Sequence, residues 1–216
     1  SMFKNDYLRS LAPDELLGCW AITEPDHGSD TLDPNRMIFH PEGSYGPTVI
    51  NDFALDFITR NKAKPFFLYY PFMLTHNPFQ PTPDSKDWNP ETNSEKAQQD
   101  DKHFADMVAY MDKMIGVLDA KLGELGIRDN TLLLFLGDNG TNKGITSRFK
   151  GSDYKGGKGS TVQNGHHVPL IASWPAIVKQ GRVNKDLISC ADFLPTICEA
   201  AGIPTPKTVD GISFLP

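Results

Sequence analysis

Cysteine is scarce in this chain: Cys19, Cys190 and Cys198 are the only three among 216 residues, widely spaced and without a Cys-x-x-Cys pair. An odd, scattered set fits buried free thiols better than a disulfide framework or a zinc site. Long apolar runs are also lacking. No stretch approaches the roughly 18 residues that a bilayer span needs, and no charged head followed by an apolar run opens the chain, so neither a membrane helix nor a signal peptide is visible. Lys and Arg form no cluster, and the net charge is −6. Nucleic acid and anionic membrane surfaces are therefore poor partners. There is no internal repeat, and nothing in the residues assigns a compartment. What remains is a chain with 39% hydrophobic residues, enough for one sizeable α/β core or for part of a larger domain.

Periodicity places the elements. Phe104, Met107, Val108, Met111, Ile115, Leu118, Leu122 and Leu125 recur at three- and four-residue spacing, which predicts a core-facing helix over about 97–125, stopped by Gly126. A second helix is expected from about Pro47 to Thr59, with Ile50, Phe53, Ala54, Phe57 and Ile58 on its inner side. Three apolar runs read as buried strands: FFLYY after Pro65, the run from Leu132 to Leu136, and Val168 to Trp174. A last amphipathic helix covers Asp192 to Ala201 and ends at Gly202. This alternation predicts a layered α/β fold, a mostly parallel sheet flanked by helices. Two long connections, His76 to about Lys96 and Gly140 to His167, should be irregular loops at one end of the sheet, where ligands bind in open α/β folds.

The chemistry gathers at those loops. Asp138 and Asn139 end the apolar strand as a carboxylate and an amide, hard oxygens that suit Ca²⁺ or Mg²⁺; Asp-Asn-Gly also suits a tight turn. Lys158 stands in the glycine-rich GGKGS, where it can approach an oxyanion closely, although a lone lysine is commonly a solvated charge. His76 follows the FFLYYPF strand at a comparable position, although a lone histidine beside proline is more often a structural hydrogen-bonder. If the sheet is parallel, all three converge on one crevice.

With KPFFLYYPFMLTHNPF, DNTLLLFLGDNG, GGKGSTVQNGHHVPLIASWPA and ADFLPTICEAAGIP in view, residues 37–216 resemble the C-terminal part of the sulfatase family, in the alkaline-phosphatase-like superfamily. The resemblance implies that fold, cut short at both ends here. It implies hydrolysis of small-molecule or carbohydrate sulfate esters, with Asp138 and Asn139 as ligands of a divalent cation, usually calcium. Lys158 and His76 would contact the sulfate, His76 near the leaving oxygen. Many sulfatases carry Glu-Gly-Gly-x-Arg-x-Pro after the lysine. This chain reads Gln163 to Pro169 as QNGHHVP, so that His167 takes the arginine's place as a substrate-binding candidate or a structural residue.

The family's nucleophile is a formylglycine made from Cys/Ser-x-Pro/Ala-x-Arg, and that motif is absent from these 216 residues. The chain alone is therefore expected to be inactive. Members of the superfamily that handle phosphate, phosphodiesterases and phosphomutases, are the alternative enzymatic reading. A non-catalytic remnant that self-associates through an exposed sheet edge is another. Residues 6–30 resemble instead a short acyl-CoA dehydrogenase segment, with Thr23 and Ser29 at the flavin-touching positions. That likeness does not continue past Thr31, so no FAD is expected, and residues 1–36 are read as a separate head. The family is commonly exported, which leaves localisation open.

Overall fold

The computed structural model describes residues Leu17–Trp20, as backbone only, together with 44–90 and 100–216. The boundary expected at residue 37, the flavin-like positions Thr23 and Ser29, and the stretch around Lys96 and Ala97 lie outside the described residues.

The elements run in the order strand β1 (Leu17–Trp20), helix α1 (Gly46–Asn61), strand β2 (Phe66–Tyr69), helix α2 (His103–Glu124) and strand β3 (Leu133–Leu136). They continue with strands β4 (Thr146–Phe149) and β5 (Ser152–Lys155), the one-turn helix α3 (Gln163–His166), strand β6 (Leu170–Ser173) and helix α4 (Phe193–Ala200). A 3₁₀ turn, Arg128–Asn130, links α2 to β3, and another, Cys190–Asp192, leads into α4.

Helix α1 starts after Tyr45, whose carbonyl accepts from the Thr48 and Val49 amides, with Pro47 in the first turn where its missing N–H costs nothing. Helix α2 ends in a glycine cap. Gly126 takes φ of 70°, its N–H bonds to Gly123 O, and the Ile127 amide reaches back to Leu122 O.

Two apolar clusters form the core. Ala54, Phe57 and Ile58 of α1 meet Leu118 and Leu122 of α2, with Phe66, Leu68 and Leu133 from the strands packed against them. Leu74, Phe79, Met107, Tyr110, Met114 and Ile145 form the other. The buried positions of α2 are 103, 107, 110, 114, 118 and 122, a stripe rotated slightly from the expected one, so that Val108 faces solvent. In α1, Phe53 is also exposed, and Asn51 takes a buried place instead.

Strand pairing is mixed. β1 and β2 are parallel, with Leu17 opposite Phe66 and Trp20 opposite Tyr69. β3 and β6 run antiparallel, Leu133 opposite Ser173 and Leu136 opposite Leu170, which departs from the expected parallel arrangement. The reason is the connection. A parallel return needs a crossover, usually a helix across the sheet, whereas residues 137–169 hold only a hairpin and a single helical turn and come back to the end they left. That hairpin, β4 with β5, was not legible in the sequence; its tight turn is made by Lys150 and Gly151, both at positive φ. Of the thiols expected to be buried, Cys198 is, while Cys190 lies exposed on the 3₁₀ turn before α4.

Candidate functional site

The antiparallel return of β6 shapes the candidate site. Because the chain comes back to the exit of β3, the segment before β6 lies against the segment after β3. Three backbone hydrogen bonds fasten them: Gly137 N–H to Pro169 O at 3.1 Å, Gly140 N–H to Gly165 O at 2.9 Å, and Lys158 N–H to Thr141 O at 2.9 Å. Asp138 and Asn139 sit between the first two anchors, and Lys158 is fastened to the chain two residues beyond Asn139. Glycine makes the approach possible. A Cβ at Gly140 would stand 2.1 Å from Asn164 O, one at Gly156 2.0 Å from Asn142 O, and one at Gly165 2.2 Å from Ser160 O. No side chain fits in such gaps, so these three glycines are required by contact with neighbouring backbone.

Asp138 and Asn139 are exposed, and the Asn139 Nδ2 donates to Asp138 Oδ2. The main-chain groups on either side are already bonded, which leaves Asp138 Oδ1 and Asn139 Oδ1 available to a ligand. This pair fits a hard divalent cation in chemistry. It supplies one charge and two of the six to eight oxygens that calcium takes, about a quarter to a third of a full shell. Lys158 is half-buried in the glycine turn.

His76 is exposed, its amide bonded to Met73 O at 2.9 Å. Its Nδ1 lies 2.7 Å from Asn77 O. A carbonyl can only accept, so Nδ1 carries the hydrogen. No hydrogen bond ties His76 to the glycine cage. The link is through the core, because Leu74 and Phe79 flank it in the same cluster as Ile145, whose carbonyl accepts from the Gly156 amide at 2.8 Å. His167 is exposed one residue after α3, with Nδ1 3.2 Å from Gln163 Nε2.

Two further features were not anticipated. Asp87, His103 and Asp106 place ligand-type atoms within 4.8 Å of one another. His103 is buried, with Nδ1 3.0 Å from Asp106 Oδ2 and Nε2 3.4 Å from Asp87 Oδ2, and the Ser85 hydroxyl donates to Asp106 Oδ2 at 2.8 Å. One imidazole with two carboxylates suits zinc or manganese better than calcium, but every group already has a protein partner. The cluster is complete as a latch between the 82–88 loop and the first turn of α2. The other feature is an open cleft of about 330 Å³ beside Tyr45, Trp88 and Tyr110, which none of the five candidate residues lines. Burial, then the neighbouring Tyr110, pushes the Tyr45 phenol above its ordinary range.

The sulfatase family model matches residues 16–203. The chain is similar to arylsulfatase A of Homo sapiens, 33% identical over 159 residues, covering 73% of this chain and 29% of that protein. It is similar to the uncharacterized sulfatase YdeN of Escherichia coli (strain K12), 32% identical over 208 residues, covering 94% of this chain and 36% of that one. Among solved structures, Ps i-CgsB in complex with k-i-k-neocarrahexaose shares the fold with a TM-score of 0.64 and 29% identity, over 80% of this chain and 38% of that chain. The chain thus spans about three tenths of the length of the first of these curated relatives, 29% of arylsulfatase A.

Proposed function

The chain belongs to the sulfatase family, and from that premise we propose that Asp138, Asn139, Lys158 and His76 are the cation- and sulfate-binding part of a site for sulfate-ester hydrolysis. The observation that carries the reading is the backbone cage, in which the carboxylate–amide pair and the lysine are fastened to each other within a few residues. Asp138 and Asn139 would hold the divalent cation, calcium by the resemblance; when bound, it would supply positive charge to polarise a sulfuryl oxygen. Lys158 would share the charge on the same sulfate, at an anchor that needs no reorganisation when charge develops. His76, with its Nδ1 hydrogen committed to Asn77, would hold a second proton on Nε2 for the leaving oxygen. His167 would line the sulfate side, oriented by Gln163.

No Cys/Ser-x-Pro/Ala-x-Arg occurs in the 216 residues, so these groups bind and orient but leave the attacking group unsupplied. The chain by itself is expected not to turn over p-nitrophenyl sulfate. It is expected to bind inorganic sulfate, more tightly with calcium present, and Lys158→Ala should weaken that binding about tenfold or more, as the loss of a charge-assisted contact does. Isothermal calorimetry with and without calcium reads this directly. Clear metal-dependent turnover abolished by Lys158→Ala would overturn the inactivity. Sulfate binding indifferent to Lys158 would overturn the site.

A further inference from the structure

Resting on that reading of Asp138, Asn139 and Lys158, we infer that Asn164 is a positioning residue that sets Lys158 against the Asp138–Asn139 pair without touching substrate. The main chain of Asn164 packs against both Gly140 and Gly157, and its side chain against the second of these. Its carbonyl oxygen lies 2.1 Å from where a Gly140 Cβ would be, so its backbone is packed on the residue after Asn139. Its side chain lies against residues 155–157. Nδ2 donates to Lys155 O at 2.7 Å, and Oδ1 lies 2.6 Å from where a Gly157 Cβ would be. Gly157 is buried, and the space a side chain would take there is occupied by the Asn164 amide together with the Asn164 main-chain carbonyl carbon, 2.7 Å from where the Cβ would be.

The amide therefore braces Lys155 and Gly157, the residues on either side of Gly156, and Lys158 follows directly. An amide suits this place by its chemistry. Facing a carbonyl, it must present a donor, and its oxygen must sit against a residue with no side chain. Alanine would leave Lys155 O without its partner and a void beside Gly157. Aspartate keeps the shape but cannot donate to a carbonyl, and adds a negative charge next to a lysine meant to meet an anion. Lysine is a flexible four-carbon stem carrying a point charge, so where its Cα is held decides whether its ammonium and a cation at Asp138 can meet one oxyanion.

The test uses the whole chain, hydrogen exchange, and calorimetry with inorganic sulfate and calcium. Asn164→Ala and the isosteric Asn164→Asp are expected to speed exchange about tenfold at the Gly156 and Lys158 amides, the size of one lost hydrogen bond, while the α2 amides around Met114 keep their protection. Both should weaken sulfate about tenfold, and Asn164→Ala should add no further loss in a Lys158→Ala background. Unchanged exchange at Gly156 and Lys158 overturns the inference whatever sulfate does. Protection lost throughout α2 also overturns it, since the role would then be general stability. Faster local exchange with sulfate affinity intact overturns it too, because Lys158 would then bind without the anchor. If the unmutated chain binds no sulfate, the Lys158 reading falls while the exchange data still judge the brace.

Discussion

At the scale of single residues, the candidate groups are local patterns in the sequence and their surroundings are not. Asp138, Asn139 and Lys158 stand out as candidates because an apolar strand ending in Asp-Asn-Gly and a lysine between glycines are visible in a few neighbouring residues. Their mutual fastening is not, since it depends on hydrogen bonds between residues 17 to 32 positions apart. His103 was illegible for a related reason: nothing near it in sequence announces Asp87, which reaches it across a loop. That latch has a pH consequence. The Asp106 carboxyl is held below the usual range first by its bond from His103 and then by Ser85, and the Asp87 carboxyl first by Lys102. Lys102 also pairs with Asp100, so the charged groups facing His103 and its partners are Asp87, Asp100, Lys102 and Asp106. Carboxyls with lowered folded values stabilise above their unfolded pKa of about 3.8, and that contribution is lost as pH falls through the lowered values. Asp106→Asn is therefore expected to lower Tm at pH 7 and to flatten the fall of Tm between about pH 5 and pH 2. Circular dichroism melts across that range check it. A variant whose Tm falls in parallel with the unmutated protein's would show that the latch adds no acid sensitivity.

At the scale of elements, helix periods and C-terminal stops are local signals, whereas the long helix starts at His103 rather than near 97 and strand partners are set by distant residues. The α2 stripe and the Gly126 stop follow from a 3.6-residue period and from glycine's access to positive φ, which neighbours in sequence decide. Partner direction depends on how a 33-residue connection, 137–169, returns, and the β4–β5 hairpin inside it has no alternating apolar pattern because all eight of its residues are exposed. Glycine can also have opposite worth in two elements. Gly116 lies within α2 and has no neighbouring atom within 4 Å of where a Cβ would stand, so Gly116→Ala is expected to stabilise by about 0.5–1 kcal/mol through the helix propensity of alanine. Gly156→Ala would bring a Cβ to 2.0 Å from Asn142 O and 2.6 Å from Thr141 O, both backbone atoms that cannot swing aside. It is expected to destabilise by about 1–3 kcal/mol, as overpacking does, and to loosen Lys158. Urea denaturation of the two variants should move in opposite directions; a shift of the same sign in both would refute the close-approach argument.

At the scale of the whole molecule, neither face of β3 and β6 is fully covered among the described residues. Among the described residues these two strands form a sheet by themselves, and each has one edge without a strand partner. Leu133 packs into the core with α1 and α2, while Leu136 and Ile171, on opposite faces of the sheet, are 41% and 57% exposed. Apolar side chains next to unpaired backbone donors and acceptors are a template for another strand. We therefore propose that the 216-residue chain self-associates through this sheet. Burying one isoleucine side chain contributes about 1.5–3 kcal/mol, so a symmetric contact that covers Ile171 on both copies gains about twice that before the cost of association. Ile171→Lys places a charge on that surface at an exposed position, where it should cost little in the monomer. Light scattering is expected to show mass rising with concentration for the unmutated chain and a shift towards monomer for Ile171→Lys. A clean monomer at high concentration without the substitution would mean that the exposed sheet is tolerated as it stands, and that its apolar side chains carry no partner of this kind.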